Sequence, residues 1–263
     1  MSNRVRLHRF TGKGFEPLEI PVVQERPLAL YVNGQELVTL LCTPNKLEAL
    51  VVGFLAFEGI IQGLEDLRSL TILEGDGYAD VRLAEEFVPP RRRVYTSGCG
   101  GGITFSLETH RSAAQQDNSS VDPTSLFPLI RELYTEAHAY RESRGIHAAA
   151  LADGEELLIV TEDVGRHNAI DKVRGEAMLR GIPTEGKILV ATGRISSEML
   201  RKGAHMGTPI VVSRTSATTM SIELAKRLGL TLIGYVRGDS FYVYTHPERL
   251  VIPRHAPVLT GQR

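Results

Sequence analysis

The second half of this sequence alternates helix-type and strand-type segments, and this alternation limits the fold more than any other feature. From Ser125 onward, short apolar runs alternate with segments whose apolar residues recur at helical spacing. Strands joined through helices form sheets that helices cover on both faces. We therefore expect residues 122–263 to form an α/β domain with three layers and a mixed, largely parallel sheet. The predicted elements are helices over 125–143, 168–180, 196–205 and 216–228, a hairpin of 147–152 with 156–162, and strands over 187–192, 209–213, 230–236 and 241–245.

The first half predicts a smaller α+β domain over residues 1–121. Asn33-Gly34 stands between two apolar runs, which is the strongest short-range signal for a β-hairpin. The polar stretch 106–122 is rich in Gln, Ser and Asn, and we place the domain boundary there. The predicted elements are a hairpin of 28–32 with 36–42, a helix over 46–58 that is apolar around much of its circumference, and a strand pair of 70–74 with 79–83.

Composition narrows the classes of function. The chain has 263 residues, 42% hydrophobic and 23% charged, with a formal net charge of -1. Nucleic-acid-binding domains usually carry a marked basic excess, so we expect no nucleic-acid partner. The N-terminus has charge without an apolar run behind it, and no uncharged stretch approaches the length of a membrane span. We expect a cytoplasmic protein without a membrane partner.

Cys99 is the candidate reactive residue. It lies between Gly98 and Gly100-Gly101-Gly102, shortly after the basic triplet 91–93, and the only other cysteine is Cys42. Glycines leave the backbone free, and nearby guanidinium charge favours the nucleophilic thiolate. The segment is therefore either a mobile arm with an activated sulfur or a glycine-rich turn with an incidental cysteine. Cys42 stands in an apolar strand-like run, and we expect it to be a core residue.

Three turns between a strand and a helix suggest a site for a phosphate-bearing ligand. They carry Arg166, Arg194 and Arg214, each beside glycine or hydroxyl residues just before a predicted helix. Helix N-termini hold anions, and in open α/β sheets ligands bind at the carboxyl ends of the strands. The alternative is that each hydroxyl only caps its helix and each arginine pairs with a nearby acid. Because three turns share this composition, we favour the phosphate-bearing ligand over simple capping. The three arginines could converge on that ligand.

Other patterns are weaker or absent. The hairpin Tyr235–Ser240 offers an arginine for charge and a tyrosine for stacking, although such a segment is more often just a turn. The sequence contains no P-loop, G-x-G-x-x-G, H-E-x-x-H, C-x-x-C or G-x-S-x-G pattern, so we expect no metal site. Asp163, Asp171 and His167 form either an acid–base group or, as we favour, a satisfied hydrogen-bond network.

Together these residues resemble the FdhD/NarQ family, the formate dehydrogenase accessory proteins. The resemblance covers nearly the whole chain from about Val32. Its most specific segment is E-D-V-G-R-H-N-A-I-D-K at 162–172. The further matching segments are G-F-L-A-F-E-G-I-I at 53–61, G-R-I-S-S-E-M at 193–199, S-R-T-S-A-T-T at 213–219 and Y-T-H-P-E-R-L at 244–250.

The resemblance implies a cytidine-deaminase-like fold without zinc chemistry, since Ala169 stands where a deaminase would have its glutamate. It also implies a sulfurtransferase that moves persulfide sulfur on Cys99 from a cysteine desulfurase to Mo-bis(molybdopterin guanine dinucleotide), the cofactor of formate dehydrogenase. The family is described as dimeric, which implies a homodimer. The candidate cofactor-binding residues are Arg166, His167, Arg194, Arg214, Tyr235, Val236, Arg237, Gly238, Asp239 and Ser240.

One departure from the family pattern leaves alternatives open. The second cysteine of the family's C-x-x-C loop is Gly102 here, so the loop cannot form an internal disulfide. A single thiolate still suffices for persulfide exchange. The main alternative is a chaperone that binds and delivers the molybdenum cofactor without catalysis. A third interpretation is a zinc-free protein that binds another purine nucleotide.

Overall fold

The structure is a computed structural model that describes residues 2–88, 94–95, 103–104 and 119–252. The predicted Cys99 loop, including Gly102 and the basic triplet 91–93, lies outside these residues. The strands are β1 Ser2–Thr11, β2 Gly14–Val23, β3 Arg26–Val32, β4 Gln35–Cys42, β5 Leu67–Leu73, β6 Tyr78–Leu83, β7 Val94–Tyr95, β8 Ile103–Thr104, β9 His147–Ala152, β10 Leu157–Asp163, β11 Ile188–Ala191, β12 Ile210–Ser213, β13 Thr231–Arg237 and β14 Ser240–Thr245. The helices are α1 Leu47–Phe57, α2 Leu126–Glu136, α3 His138–Ser143, α4 Arg166–Leu179, α5 Ser197–His205 and α6 Thr219–Leu228.

The second half is built on a six-stranded sheet of order β10-β9-β11-β12-β13-β14. The pairs β11–β12 and β12–β13 are parallel, whereas the pairs β10–β9, β9–β11 and β13–β14 are antiparallel. The prediction of a mixed sheet is confirmed, but the prediction that it is largely parallel is wrong. The reason is that β9 lies between β10 and β11, so the two strands that α4 connects do not pair with each other.

Two hydrophobic clusters cover the two faces of this sheet. On one face, Ala149 and Leu151 of β9 pack with apolar residues of α4, α5 and α6. On the other face, Ala148 and Ala150 pack with Leu129 and other apolar residues of α2. Alternate residues of one strand thus face opposite cores, as the pleat requires. The three-layer arrangement is confirmed, and the cytidine-deaminase-like relationship stays a prediction.

The helix predicted over 125–143 is two helices. α2 ends at Glu136, Ala137 leaves the helical region with φ -77° and ψ 79°, and α3 begins at the next residue. The carboxylate of Glu162 accepts hydrogen bonds from Ala139 N at 3.2 Å and from Tyr140 N at 2.7 Å. A residue at the end of β10 therefore satisfies free N–H groups at the start of α3. Helical spacing alone does not reveal such a distant cap.

The first half contains the predicted hairpin, helix and strand pair in a sheet of order β4-β3-β6-β5. Asn33 and Gly34 both have positive φ, at 49° and 80°, as a two-residue hairpin turn requires. α1 is buried at nine of its eleven positions. It packs against β3, β4 and β6 in a separate hydrophobic cluster, which also contains the buried Cys42. The predicted core position of Cys42 is confirmed, while the division into two domains stays a prediction.

α1 also packs closely against α4, which joins the two halves. A Cβ at Gly53 would lie 1.8 Å from the carbonyl oxygen of Asp171, and a Cβ at Gly175 would lie 1.9 Å from that of Ala49. Neither distance is compatible with a side chain, so the two bare Cα positions set how closely the helices approach. The contact of α1 with α4 therefore depends on two glycines.

Two further features lie at the margins of the fold. The hairpin of β1 and β2 forms its own two-stranded sheet, and Phe10 and Phe15 at its end are 68% and 73% exposed. At the outer edge of the six-stranded sheet, Lys46 Nζ donates to Val160 O and Arg180 donates to Leu158 O, both carbonyls of β10. None of the helices in the described part of the chain combines the length and apolarity that a bilayer crossing requires.

Candidate ligand-binding site at the carboxyl edge of the sheet

The predicted turns lie on one edge of the six-stranded sheet. β10, β11, β12 and β13 run in the same direction, so their carboxyl ends share an edge, where β9 and β14 also begin. With neighbouring strands about 4.8 Å apart, the ends of β10 and β13 are about 19 Å apart. The prediction that these turns lie together at the carboxyl ends of the strands is confirmed. The edge is long enough for an extended dinucleotide.

Hydroxyl groups hold the two central turns together. Ser213 Oγ donates to Gly193 O at 2.7 Å, and Ser221 Oγ donates to Ile195 O at 3.0 Å. Ser196 caps α5 by accepting from Met199 N, and Thr218 caps α6 by accepting from Ser221 N. For Ser196 and Thr218 the alternative of simple helix capping is therefore correct.

One set of polar side chains around the start of α4 forms what we call the His167 cluster: Arg166, His167, Asp171, Glu198, Lys202 and His147. His167 and Glu198 are the second residues of α4 and α5, and His167 Nδ1 lies 3.3 Å from Glu198 Oε1. One turn further on, Asp171 and Lys202 form a buried ion pair, and Lys202 Nζ lies 5.0 Å above the ring of Phe57. The first two turns of α4 and α5 thus meet through ionisable side chains.

Glycine 193 brings the beginning of β9 into the His167 cluster. A Cβ at Gly193 would lie 3.1 Å from His147 Nδ1 and 3.4 Å from Arg166 Cβ. The bare Cα therefore allows the imidazole of His147 and the start of α4 to lie side by side. At the same place Gly165, the N-cap of α4, provides no side-chain hydrogen bond to the first turn.

Burial lowers the pKa of the histidine at position 167 and raises the pKa values of the acids in the His167 cluster. Burial, reinforced by the charges of Lys202 and Arg166, lowers the pKa of His167 to about 2, so this imidazole is neutral at physiological pH. Burial raises the pKa of Glu198 to about 7. Burial also raises the pKa of Asp171, against the opposing effect of Lys202. Neither ring nitrogen of His167 makes a hydrogen bond to any described residue.

Asp163, in contrast, belongs to a satisfied network. Its carboxylate pairs with the fully buried Lys172 at 2.6 Å and accepts from Thr43 N, Gly165 N and Asn168 Nδ2. The ammonium of Lys172 also donates to Thr43 O, and to Asn45 Oδ1 at 2.7 Å. The favoured hydrogen-bond interpretation is correct for Asp163. The network of Asp163 and Lys172 joins the turn before α1 to the end of β10.

The predicted arginines are spread along the edge of the sheet. Arg166 is buried within the His167 cluster, whereas Arg194 is exposed in the next turn. Arg214 lies over the ring of Tyr134 in α2, with its guanidinium carbon 4.6 Å from the centroid. α4 and α2 cover opposite faces of the sheet, so Arg166 and Arg214 contact different layers, and the convergence of the three arginines on one ligand stays a prediction. They line a path along the strand ends.

The hairpin 235–240 forms the far end of this path. Tyr235 has a positive φ of 56°, in an irregular part of the β13–β14 pairing, and its N–H donates to Thr215 O at 3.1 Å. Its ring stacks edge-on with Tyr242 at 5.5 Å, and the guanidinium of Arg237 lies 5.5 Å from the Tyr235 centroid. The remaining predicted residues lie in the core (Val236) and in the exposed turn (Gly238, Asp239 and Ser240).

Sequence reasoning assigned no role to His147, Glu198 or Lys202. The i, i+4 spacing of Glu198 and Lys202 was a weak signal, because such pairs are common on exposed helix faces. His147 had no recognisable signal, since it only begins a strand. Within the described residues, no group of three or more His, Cys, Asp or Glu side chains is arranged to hold a metal ion.

The sequence and the fold both match known proteins. The FdhD/NarQ family model matches residues 23–251. "Sulfur carrier protein FdhD" of Bacillus pumilus (strain SAFR-032) is 40% identical over 252 residues, 93% of this chain and 95% of that protein. The protein of the same name from Bacillus subtilis (strain 168) is 39% identical over 250 residues, 92% of this chain and 95% of that protein.

A solved structure agrees with these relatives. A protein from Desulfotalea psychrophila, whose crystal structure is described as that of a formate dehydrogenase accessory protein, superposes with a TM-score of 0.78. It is 26% identical, and the match covers 95% of this chain and 99% of that chain. The family match extends from Val23, the last residue of β2, to Val251. The chain therefore belongs to the FdhD/NarQ family.

Proposed function

We propose that this protein is a sulfur carrier that accepts persulfide sulfur on Cys99 and transfers it to the molybdenum cofactor of a formate dehydrogenase. The observation that carries the proposal is similarity over nearly the full length to proteins named sulfur carrier protein FdhD. The sulfur donor in this proposal is a cysteine desulfurase. The cofactor is cargo, and the protein works in the cytoplasm as a homodimer.

Loading of sulfur onto Cys99 is a thiol exchange. The Cys99 thiolate attacks the outer sulfur of the donor persulfide, the donor's S–S bond breaks, and the donor cysteine leaves as a thiolate. One cysteine is sufficient for this step, so Gly102 does not prevent it. Cys42 is unsuited to replace Cys99, because it is buried and burial raises the pKa of its thiol to about 12.

The edge of the sheet supports binding of an extended nucleotide cargo. At one end, the His167 cluster and the first turns of α4 and α5 offer N–H groups and buried cationic side chains to a phosphate. At the other end, Tyr235, Tyr242 and Arg237 offer an aromatic surface and a guanidinium to a purine base. Arg194 and Arg214 lie between them.

Transfer of sulfur to Cys99 can be tested by intact mass. Incubation with a cysteine desulfurase and cysteine should add one sulfur atom to the wild-type protein and to Cys42→Ser, but none to Cys99→Ser. A persulfide on Cys99→Ser, or none on the wild type, contradicts the proposed role of Cys99.

The second candidate function is a chaperone that binds and delivers the cofactor without carrying sulfur. Glycine at position 102 favours it, because the loop lacks the second sulfur that the family pattern contains. The same mass experiment distinguishes the two functions. An unmodified wild-type protein that still binds the cofactor would support the chaperone.

The nucleotide end of the site can be tested with GDP. Arg237→Ala removes the guanidinium beside Tyr235, so we expect its affinity for GDP in calorimetry to fall about tenfold, the value of one charge-assisted contact. Arg227→Ala on α6 is a suitable control and should bind GDP as the wild type does. Equal affinity of Arg237→Ala and the wild type would remove Arg237 from the site.

A further inference from the structure

The His167 cluster contains a carboxylic acid, Glu198, at the end of the site where the phosphate of the proposed ligand would bind. Glu198 is the second residue of α5, and its carboxylate lies 3.3 Å from His167 Nδ1. His167 is 8% exposed, and neither of its ring nitrogens makes a hydrogen bond to a described residue. A buried polar group without a partner is unfavourable, and a bound ligand can satisfy it. The start of α4, which lacks a side-chain cap, provides N–H groups at the same place.

These groups attract an anion, but an ionised Glu198 would repel it. Among the groups that face Glu198, Lys202 and Arg166 are cationic, and Lys202 is already paired with Asp171. Glu58, at the end of α1, adds negative charge. His167 is neutral and can donate or accept through either ring nitrogen. The state of Glu198 therefore decides whether the cluster accepts further negative charge.

We infer that the His167 cluster binds the phosphate end of its ligand together with one proton, which Glu198 carries. This inference rests on the proposed function and assigns a role to a residue that the function itself does not require. A protonated Glu198 donates a hydrogen bond to the phosphate, whereas an ionised one has to take up a proton before the phosphate binds. Burial, together with the charges of Asp171 and Glu58, raises the pKa of Glu198 to about 7 against the opposing charges of Lys202 and Arg166, so this uptake falls in the physiological range.

The test is the pH dependence of GDP binding by calorimetry between pH 7.5 and pH 8.5, where the terminal phosphate of GDP is almost fully ionised and its guanine base is still mostly neutral. We expect the affinity of the wild type to fall toward tenfold per pH unit at the alkaline end, while Glu198→Gln loses most of this dependence. Glu248→Gln is the control, because Glu248 follows β14 at the opposite edge of the sheet and should behave as the wild type.

A second measurement needs no variant. Titrations of the wild type at pH 8 in buffers of different ionisation enthalpy should show uptake of close to one proton per GDP. Binding that is independent of pH and takes up no proton contradicts the inference and leaves the proposed function standing. Absence of GDP binding at every pH contradicts both the inference and the proposed cofactor site.

Discussion

Glu198 and His167 show how position in the fold sets the chemistry of a residue. Each is the second residue of its helix, and each side chain is mostly buried, yet burial shifts their pKa values in opposite directions. Burial favours the neutral form of both side chains, which means a raised pKa for the acid and a lowered pKa for the base. At a pH between the ordinary pKa values of glutamate and histidine, both side chains would usually be charged. In this protein both are neutral there.

Glu198 should make the stability of the protein depend on pH. Its pKa is about 7 in the folded protein and near 4.5 in the unfolded chain. The folded state therefore binds more protons between these values, and its stability falls as the pH rises through them. We expect the free energy of unfolding of the wild type, measured relative to Glu198→Gln by denaturant titration, to fall by about 2 kcal/mol from pH 5 to pH 8. A constant difference between the two proteins would show that Glu198 has an ordinary pKa.

At the scale of elements, the contact of α1 with α4 is the tightest point of the fold. In an exposed helix, replacing glycine by alanine stabilises by about 1 kcal/mol. At Gly53 the new methyl carbon would lie 1.8 Å from Asp171 O, and the cost of separating two packed helices outweighs this propensity.

We expect Gly53→Ala to lower the free energy of unfolding by about 3 kcal/mol in denaturant titrations. Gly75→Ala is the matched control, since a Cβ there would have no atom within 4 Å, and it should change stability by less than about 0.5 kcal/mol. Similar stability of the two variants would mean that α1 can move away from α4 at little cost.

The elements that could be predicted from the sequence are those defined by local patterns. Asn33-Gly34 fixed the hairpin of β3 and β4, and apolar spacing located α1, α4, α5 and α6. The break at Ala137 could not be predicted, because the carboxylate that starts α3 comes from Glu162. The hairpin of β1 and β2 has no Asn-Gly turn, so its sequence lacks the strongest local signal for a hairpin.

The candidate site was predictable only in part. The arginine-bearing turns could be placed on one edge, because parallel strands share the direction of their carboxyl ends. The composition of the His167 cluster could not, since it arises where the first turns of α4 and α5 and the start of β9 come together. The different layers that Arg166 and Arg214 contact could not be predicted either, for a related reason. The partner of Arg214 is Tyr134, on a helix that covers the other face of the sheet.

For the molecule as a whole, the buried pair of Asp163 and Lys172 connects the two halves. Lys172 of α4 donates to Thr43 O and Asn45 Oδ1, both in the turn that leads from β4 into α1. Removing one partner of such a pair leaves an uncompensated charge in the interior, which is more costly than losing the pair itself.

We expect Lys172→Met to lower the free energy of unfolding by about 3 to 5 kcal/mol. Lys46→Met is the control, because the ion pair of Lys46 with Glu176 is partly exposed, and it should cost no more than about 1 kcal/mol. Thermal unfolding followed by circular dichroism compares the two. Equal losses would show that the buried pair does not hold the halves together.

Lys46 and Arg180, which donate hydrogen bonds to β10, also limit how this molecule can associate with others. Lys46 and Arg180 occupy the carbonyl oxygens of Val160 and Leu158 along the outer edge of that strand. An incoming extended peptide would have to displace both before it could add a strand there. Growth of the sheet by strand addition is thus disfavoured at its β10 margin, which leaves the β14 margin for any partner that recognises the protein in this way.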